Sequence, residues 1–265
     1  MQPQKIFLTG ASSGIGQALA RAYAQQGAVL GIVGRREDAL RAFADSLPNP
    51  AAVRVYAADV RDADAMQAAA ADFLAHAGCP DVVIANAGIS VGTAAGERED
   101  LDVFRAVMDT NWFGTLTTFQ PFLDTMRARA PGAGGWRGTL VGIASVAGVR
   151  GLPGGGAYSA SKSAVIKLLE SLRVELLHDR IRVVTIAPGY IRTPMTAHNP
   201  YKMPFLMDAD VFARKAIEKI AGGARFTVIP WQMGVVAAVL HVLPRGLYDA
   251  LFRRAPRKPR QTGGA

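Results

Sequence analysis

The 265-residue chain has a single cysteine, Cys79, so no intrachain disulfide can form, and the composition suits a reducing compartment. It has no apolar run approaching the roughly 20 residues that a membrane-spanning helix needs. The opening residues, Met1 to Gly10, lack an apolar stretch of signal-peptide length and read as a strand leading into a glycine-rich turn. A cytoplasmic location is the expectation, with membrane association left open by the C-terminus. There is no internal repeat of 20–50 residues and no linker dividing the chain. Aromatic residues make up 8% and are not interleaved with cations as base stacking requires. The formal charge is +9, but six cations between Arg245 and Arg260 face only Asp249, so +5 of it sits in one tail. A charge concentrated in a tail argues against a nucleic-acid groove. No metal site is expected.

Apolar, β-branched runs alternate with helix-period segments for most of the length. Strands are expected at Ile6–Thr9, Val29–Val33, Val53–Ala57, Val82–Ala85, Thr139–Ile143, Val183–Ile186 and Phe226–Ile229. Helices are expected at Gly16–Gln26, Asp62–His76, Leu101–Arg129 and Ala157–His178. Parallel strands need crossovers, and strands apolar throughout must be covered on both faces. The expected fold class is therefore α/β, a doubly wound parallel sheet of Rossmann type. One domain is expected over 1–230, with a C-terminal apolar and basic extension over 231–265.

Thr9-Gly10-Ala11-Ser12-Ser13-Gly14-Ile15-Gly16 follows the first strand and opens the first helix. A pyrophosphate needs close backbone approach, free N–H groups and the positive end of a helix dipole, and this turn offers all three. The second strand ends Val33-Gly34-Arg35-Arg36. Gly34 has no carboxylate for the ribose hydroxyls of NAD, whereas Arg35 and Arg36 suit the 2′-phosphate of NADP(H). The alternative is solvated charge at a helix start, where cations are mildly disfavoured.

These residues, together with Asp59-Val60, Asn86-Ala87-Gly88, Asn111, Ser145, Tyr158-Ser-Ala-Ser-Lys162 and Pro188-Gly189 with Thr193, resemble the short-chain dehydrogenase/reductase family over about residues 4–230. Tyr158 and Lys162 lie one helical turn apart, where an ammonium lowers a phenol's pKa and readies it for proton transfer. Ser145 follows the fifth strand and is placed to bind the substrate oxygen. The resemblance implies that Asn111 holds a water of a proton relay and that Lys162 also holds the nicotinamide ribose. It further implies that Pro188, Gly189, Ile191 and Thr193 wrap the nicotinamide. Many relatives carry Asn where this chain has Ala85. Two roles are open to Asp59: accepting the adenine amino proton, or capping the helix that begins near Asp62.

The expected function is an NADP(H)-dependent oxidoreductase acting on a small-molecule carbonyl or secondary alcohol. The alternative is a catalytically silent NADP-binding regulator of the same fold. In this family the region after Thr193 forms the substrate lid, expected here over 190–221. Met195, Met203, Met207, Tyr201, Phe205 and Leu206 suggest an apolar substrate. Residues 231–254 read as an apolar helix and a basic amphipathic piece, suited to a subunit contact in a dimer or tetramer, to covering the substrate mouth, or to a membrane surface. Disorder is expected beyond Ala255.

Overall fold

Short runs of aliphatic residues and the helical segments between them assemble, in a computed structural model that describes residues 3–260 apart from 133, 198 and 200, into alternating strands and helices. In chain order these are β1 (Lys5–Thr9), α1 (Gly14–Gln25), β2 (Val29–Gly34), α2 (Glu37–Asp45), β3 (Val53–Ala57), α3 (Ala63–Ala77), β4 (Val82–Ala85), α4 (Leu101–Met108), α5 (Gly114–Ala128), β5 (Gly138–Ile143), α6 (Gly156–Glu175), β6 (Ile181–Pro188), β7 (Ile191–Arg192), β8 (Met207–Asp208), α7 (Ala209–Ala221), β9 (Phe226–Ile229), α8 (Trp231–Val242) and α9 (Arg245–Phe252).

Seven strands form one sheet in the order β3-β2-β1-β4-β5-β6-β9, and every pairing is parallel. The chain winds outward from β1 to β3, then returns to β4 on the other side of β1. That reversal leaves a crevice beyond the carboxyl ends of β1 and β4. Both β4 and β5 are buried at every position, as a sheet covered on two faces requires. One face packs Leu19 and Tyr23 of α1, Leu40 and Phe43 of α2, and Phe212 and Ile220 of α7. The other packs Phe73 of α3, Phe119 and Phe122 of α5, and Val165 and Leu169 of α6. The Phe7 ring joins this second layer, 4.7 Å from Phe122 and 5.5 Å from Phe73.

Four expectations are corrected. The helix foreseen over Leu101–Arg129 is divided by a π-turn at Asp109–Phe113, which brings Asn111 to zero exposure; such turns favour functional positions. A short helix not foreseen, α2, follows Arg36. The lid does not reach 221: Phe212, Ala213, Ala216, Ile217 and Ile220 share one face of α7 and are buried against the sheet and α1, with Arg21 paired to Asp210 at 3.0 Å. Of the segment expected as lid, 193–206 leaves the sheet and is closed at its base by Ile191 and Arg192 pairing with Met207 and Asp208. Finally, 256–260 are not disordered, because Lys258 donates to Ser90 and Arg260 to the carboxylate of Asp100; 261–265 lie outside the described residues.

The extension itself is two helices meeting at an angle of 119°. Among the described residues no single helix is long and apolar enough to cross a membrane.

Candidate active site

The glycine turn is shaped by contacts that leave no room for side chains. Gly10 has φ +72°, and a Cβ there would stand 2.8 Å from the backbone of Ala87. At Gly16 a Cβ would stand 2.1 Å from the Gly10 carbonyl oxygen. Gly16 therefore packs the turn against its helix and does not itself line the crevice. Asn86 clamps the turn from β4, its amide donating to the carbonyls of Thr9 at 3.0 Å and Gly10 at 3.2 Å. The Thr9 hydroxyl in turn accepts from the Asn86 and Ala87 N–H groups. The bracing that an Asn at position 85 would give is thus carried by Thr9 and Asn86.

The crevice has a volume of about 520 Å³. Its walls include Gly10, Ser12, Ser13, Gly14 and Ile15 of the turn, Arg35 and Arg36 after β2, Asp59 and Val60 after β3, and Asn86, Ala87 and Gly88 after β4. Ser145, Tyr158 and Lys162 line it further along, with Pro188, Gly189, Ile191 and Thr193 after β6. Gly16 and Asn111 are the two sequence-derived site residues outside its lining. Ile89 and Thr110 also line it without having been foreseen, and Pro194, Met195 and Thr196 line it from the segment expected as the lid. Thr196 had a local signal in Thr193-Pro-Met-Thr196. Its hydroxyl donates to Ile191 O at 2.7 Å and accepts from Thr193 N at 3.1 Å, folding the chain end against Gly14.

These residues fit an elongated anion such as a dinucleotide. α1 points its N-terminus into the crevice, its N-cap Ser13 makes no side-chain cap bond, and no acid occupies the first turn. The first-turn N–H groups and the dipole are thus left for a phosphate. At the far end, Arg36 donates to Ser12 O at 3.1 Å and Ser12 Oγ at 3.2 Å. Arg35 lies 4.0 Å from the Asp59 carboxylate. Asp59 is gripped mainly by Arg61, at 2.7 Å, which holds its carboxyl below the usual range. It does not cap α3; Asp62 does, accepting from Ala65 N at 3.0 Å.

At the other end stand Ser145, Tyr158 and Lys162. Ser145 lies two residues past β5, and its Oγ accepts from Ala147 N at 3.1 Å, fixing its rotamer. Tyr158 sits in the first turn of α6 and lines the crevice with Ser145. Burial pushes its pKa up, and the neighbouring Ser145 hydroxyl opposes that only in part. The expected lowering by Lys162 is not what the chain's own groups produce. The Lys162 ammonium stands 6.0 Å from the Tyr158 ring centroid and donates to Ile143 O at 2.7 Å. Burial also depresses Lys162 to about 8.

Asn111 braces its surroundings. Its amide donates to Ile89 O at 3.0 Å and Ser161 Oγ at 2.9 Å, and its Oδ1 accepts from Ile89 N at 2.8 Å. The side chain thus ties the chain after β4 to α6. It does lie close to the lysine across Gly88: a Cβ there would stand 3.0 Å from Asn111 Oδ1 and 3.5 Å from Lys162 Nζ. On the lid side, Tyr190 and Tyr201 bring their rings to 6.3 Å.

Comparison with known proteins agrees with this arrangement. The family model described as short chain dehydrogenase matches residues 4–203. The chain is 38% identical over 255 residues to an uncharacterized oxidoreductase of Myxococcus xanthus, covering 96% of this chain and 98% of that one. It is 33% identical to a sulfoacetaldehyde reductase of Chromohalobacter salexigens, over 72% of this chain and 74% of that one. Among solved structures, a short chain dehydrogenase of Burkholderia cenocepacia in complex with NADP superposes with a TM-score of 0.79 at 24% identity, covering 96% and 99% of the two chains; at that identity the likeness establishes the fold. The sheet order, the crevice and the matched residues 4–203 lead to one conclusion: the chain belongs to the short chain dehydrogenase family of oxidoreductases.

Proposed function

We propose that the protein is an NADP(H)-dependent oxidoreductase that interconverts a carbonyl group and a secondary alcohol on an apolar substrate. The observation that carries the chemistry is that Tyr158, Ser145 and Lys162 line the same crevice as the glycine turn. NADP, when bound in that crevice, supplies the hydride for reduction or accepts it for oxidation. The chain's own groups handle the oxygen. In reduction Ser145 orients the carbonyl oxygen, and the Tyr158 O–H bond breaks as the product hydroxyl forms. The phenolate left on Tyr158 is stabilised by the Ser145 hydroxyl. A phenol held protonated by burial is a competent acid at neutral pH, which suits the reductive direction.

The preference for NADP rests on Ser12, Arg35 and Arg36. Arg36 is already turned onto the Ser12 hydroxyl, and Arg35 is held only loosely by Asp59. Two guanidiniums and a hydroxyl suit the dianionic 2′-phosphate, and no carboxylate follows β2 until Glu37. The apolar character of the substrate rests on Met195, which lines the crevice, and on the nearby pair Tyr190 and Tyr201, whose rings lie 6.3 Å apart.

The test is cofactor oxidation by the purified protein, with NADPH or NADH, against ketones and aldehydes that include long-chain and polycyclic ones. NADPH-dependent turnover is expected, lost by about three orders of magnitude or more in Tyr158→Phe while NADPH binding is retained. Preference for NADH would overturn the role given to Arg35 and Arg36. Tight NADPH binding with no turnover across the panel would instead favour a regulatory protein that keeps the site but not the reaction.

A further inference from the structure

The C-terminal extension has two faces of opposite character. Inward, Met233 and Ala237 of α8 are buried, and a Cβ on Gly189 would stand 2.6 Å from Met233 Cγ. α8 therefore rests directly on backbone that lines the crevice. α9 is held by Tyr248, whose hydroxyl donates to Gly151 O and whose ring lies 4.5 Å from the Arg150 guanidinium. The chain beyond is strapped down by Lys258, 2.7 Å from Ser90 O, and by Arg260, which donates to both oxygens of Asp100. The extension is thus a fixed wall of the catalytic domain and not a loose tether.

Outward, α8 presents Trp231, Val235, Val239 and Val242, a spacing that forms one stripe along the helix. Trp231 is 70% exposed and Val242 76%. Leu247 and Leu251 repeat the pattern on α9, again facing solvent. A run of exposed large apolar side chains on consecutive elements marks a surface that meets something. Arg245, Arg253 and Arg254 stand exposed beside it, and none of them forms an ion pair among the described residues.

We propose that this outer face seats the protein on an anionic lipid surface, with the apolar stripe at the acyl boundary and the arginines among the headgroups. The charge decides between a membrane and a second copy. A two-fold contact through the same patch would bring the three arginines of each copy together with only Asp249 of each to offset them, whereas anionic lipid complements them. An exposed tryptophan at the start of α8 suits the headgroup boundary, and two short helices bent by 119° to each other, neither long enough to cross a membrane by itself, suit a surface on which both can lie. Seated this way, the crevice behind α8 is held close to the lipid.

The test is co-sedimentation of the full chain with vesicles of phosphatidylcholine, with and without about a third phosphatidylglycerol. Binding to the anionic vesicles is expected to be at least about tenfold tighter, and to weaken at high salt. Val235→Glu with Val239→Glu is expected to abolish it. Arg253→Glu with Arg254→Glu, which changes no buried side chain, is expected to weaken it by about tenfold or more while leaving NADPH binding intact. Absence of binding to either vesicle would overturn the proposal, as would equal binding to both. A dimer by light scattering that Val235→Glu with Val239→Glu dissociates, without vesicle binding, would assign the face to a second copy. None of these readouts depends on turnover, so their failure is separate from failure of the carbonyl-reductase reading.

Discussion

Lys162 is the costliest residue in the site. It is 4% exposed, its ammonium donates to one backbone carbonyl, and burial depresses it to about 8. Below pH 8 both the folded and the unfolded chain hold its proton, so the folded state carries the full desolvation cost. Between about pH 8 and the ordinary lysine value near 10.4 only the unfolded chain holds it, and stability therefore rises with pH through that window. Lys162→Met is expected to stabilise the protein at pH 7 by no more than about 3 kcal/mol, with a gain that fades toward pH 10. Thermal melts across that range, beside the loss of turnover, check both halves of the statement. The raised Tyr158 pKa adds a direction: reduction should hold steady through neutral pH, and oxidation, which needs the phenolate, should accelerate as pH rises. The spacing of Tyr158 and Lys162 is a sequence property, since four residues are one helical turn. Where the two side chains point is not, because the Ile143 carbonyl that accepts the lysine's hydrogen bond comes from a strand 19 residues away.

Helix starts separate local from distant information. Asp62 caps α3 through a bond spanning three residues, and the motif is visible in the chain itself. Asp62→Ala is expected to cost about 1 kcal/mol, seen as a melting point lower by a few degrees, with NADPH affinity unchanged. Asp59→Ala should do the reverse, disturbing cofactor affinity through Arg61 and Arg35 with little effect on stability; titration calorimetry and melts on the two variants distinguish them. The π-turn at Asp109–Phe113 had no such local mark. The segment 101–129 has continuous helical periodicity, and one extra residue in a turn leaves that pattern almost unaltered while rotating Asn111 inward to Ile89 and Ser161. Likewise the periodicity of 209–221 is that of any amphipathic helix. Only the presence of α1 opposite its apolar face makes it scaffold and not lid.

At the scale of the whole molecule, the C-terminus closes the structure. Arg260 reaches across 160 residues to Asp100, a nearly buried carboxylate that also accepts from Ala94 N at 2.7 Å. The pair holds Asp100 below the usual carboxylate range. Its contribution is therefore present above about pH 4 and is lost as the pH falls through the depressed value. Arg260→Ala is expected to release the strap, read as faster tryptic cleavage at Arg253, Arg254 and Arg257 and faster hydrogen exchange at the Ala94 amide, with the domain's main unfolding transition retained. Gly92 and Gly154 prepare the seat: a Cβ on the first would stand 2.1 Å from Pro259 O, and one on the second 2.8 Å from Arg257 Cβ.

Sequence alone determined the doubly wound sheet, the glycine turn at its crevice, and Ser145, Tyr158 and Lys162 as residues of that crevice. Strand runs, crossover lengths and a helical spacing of four are all local properties of the chain. Tertiary structure alone decided that Asn111 is a brace, that 209–221 is scaffold and that the basic tail is strapped beside the site. Each of those depends on a partner far away in sequence, such as Ile89 and Ser161, α1, or Asp100, and no pattern within a segment records what that segment will be packed against.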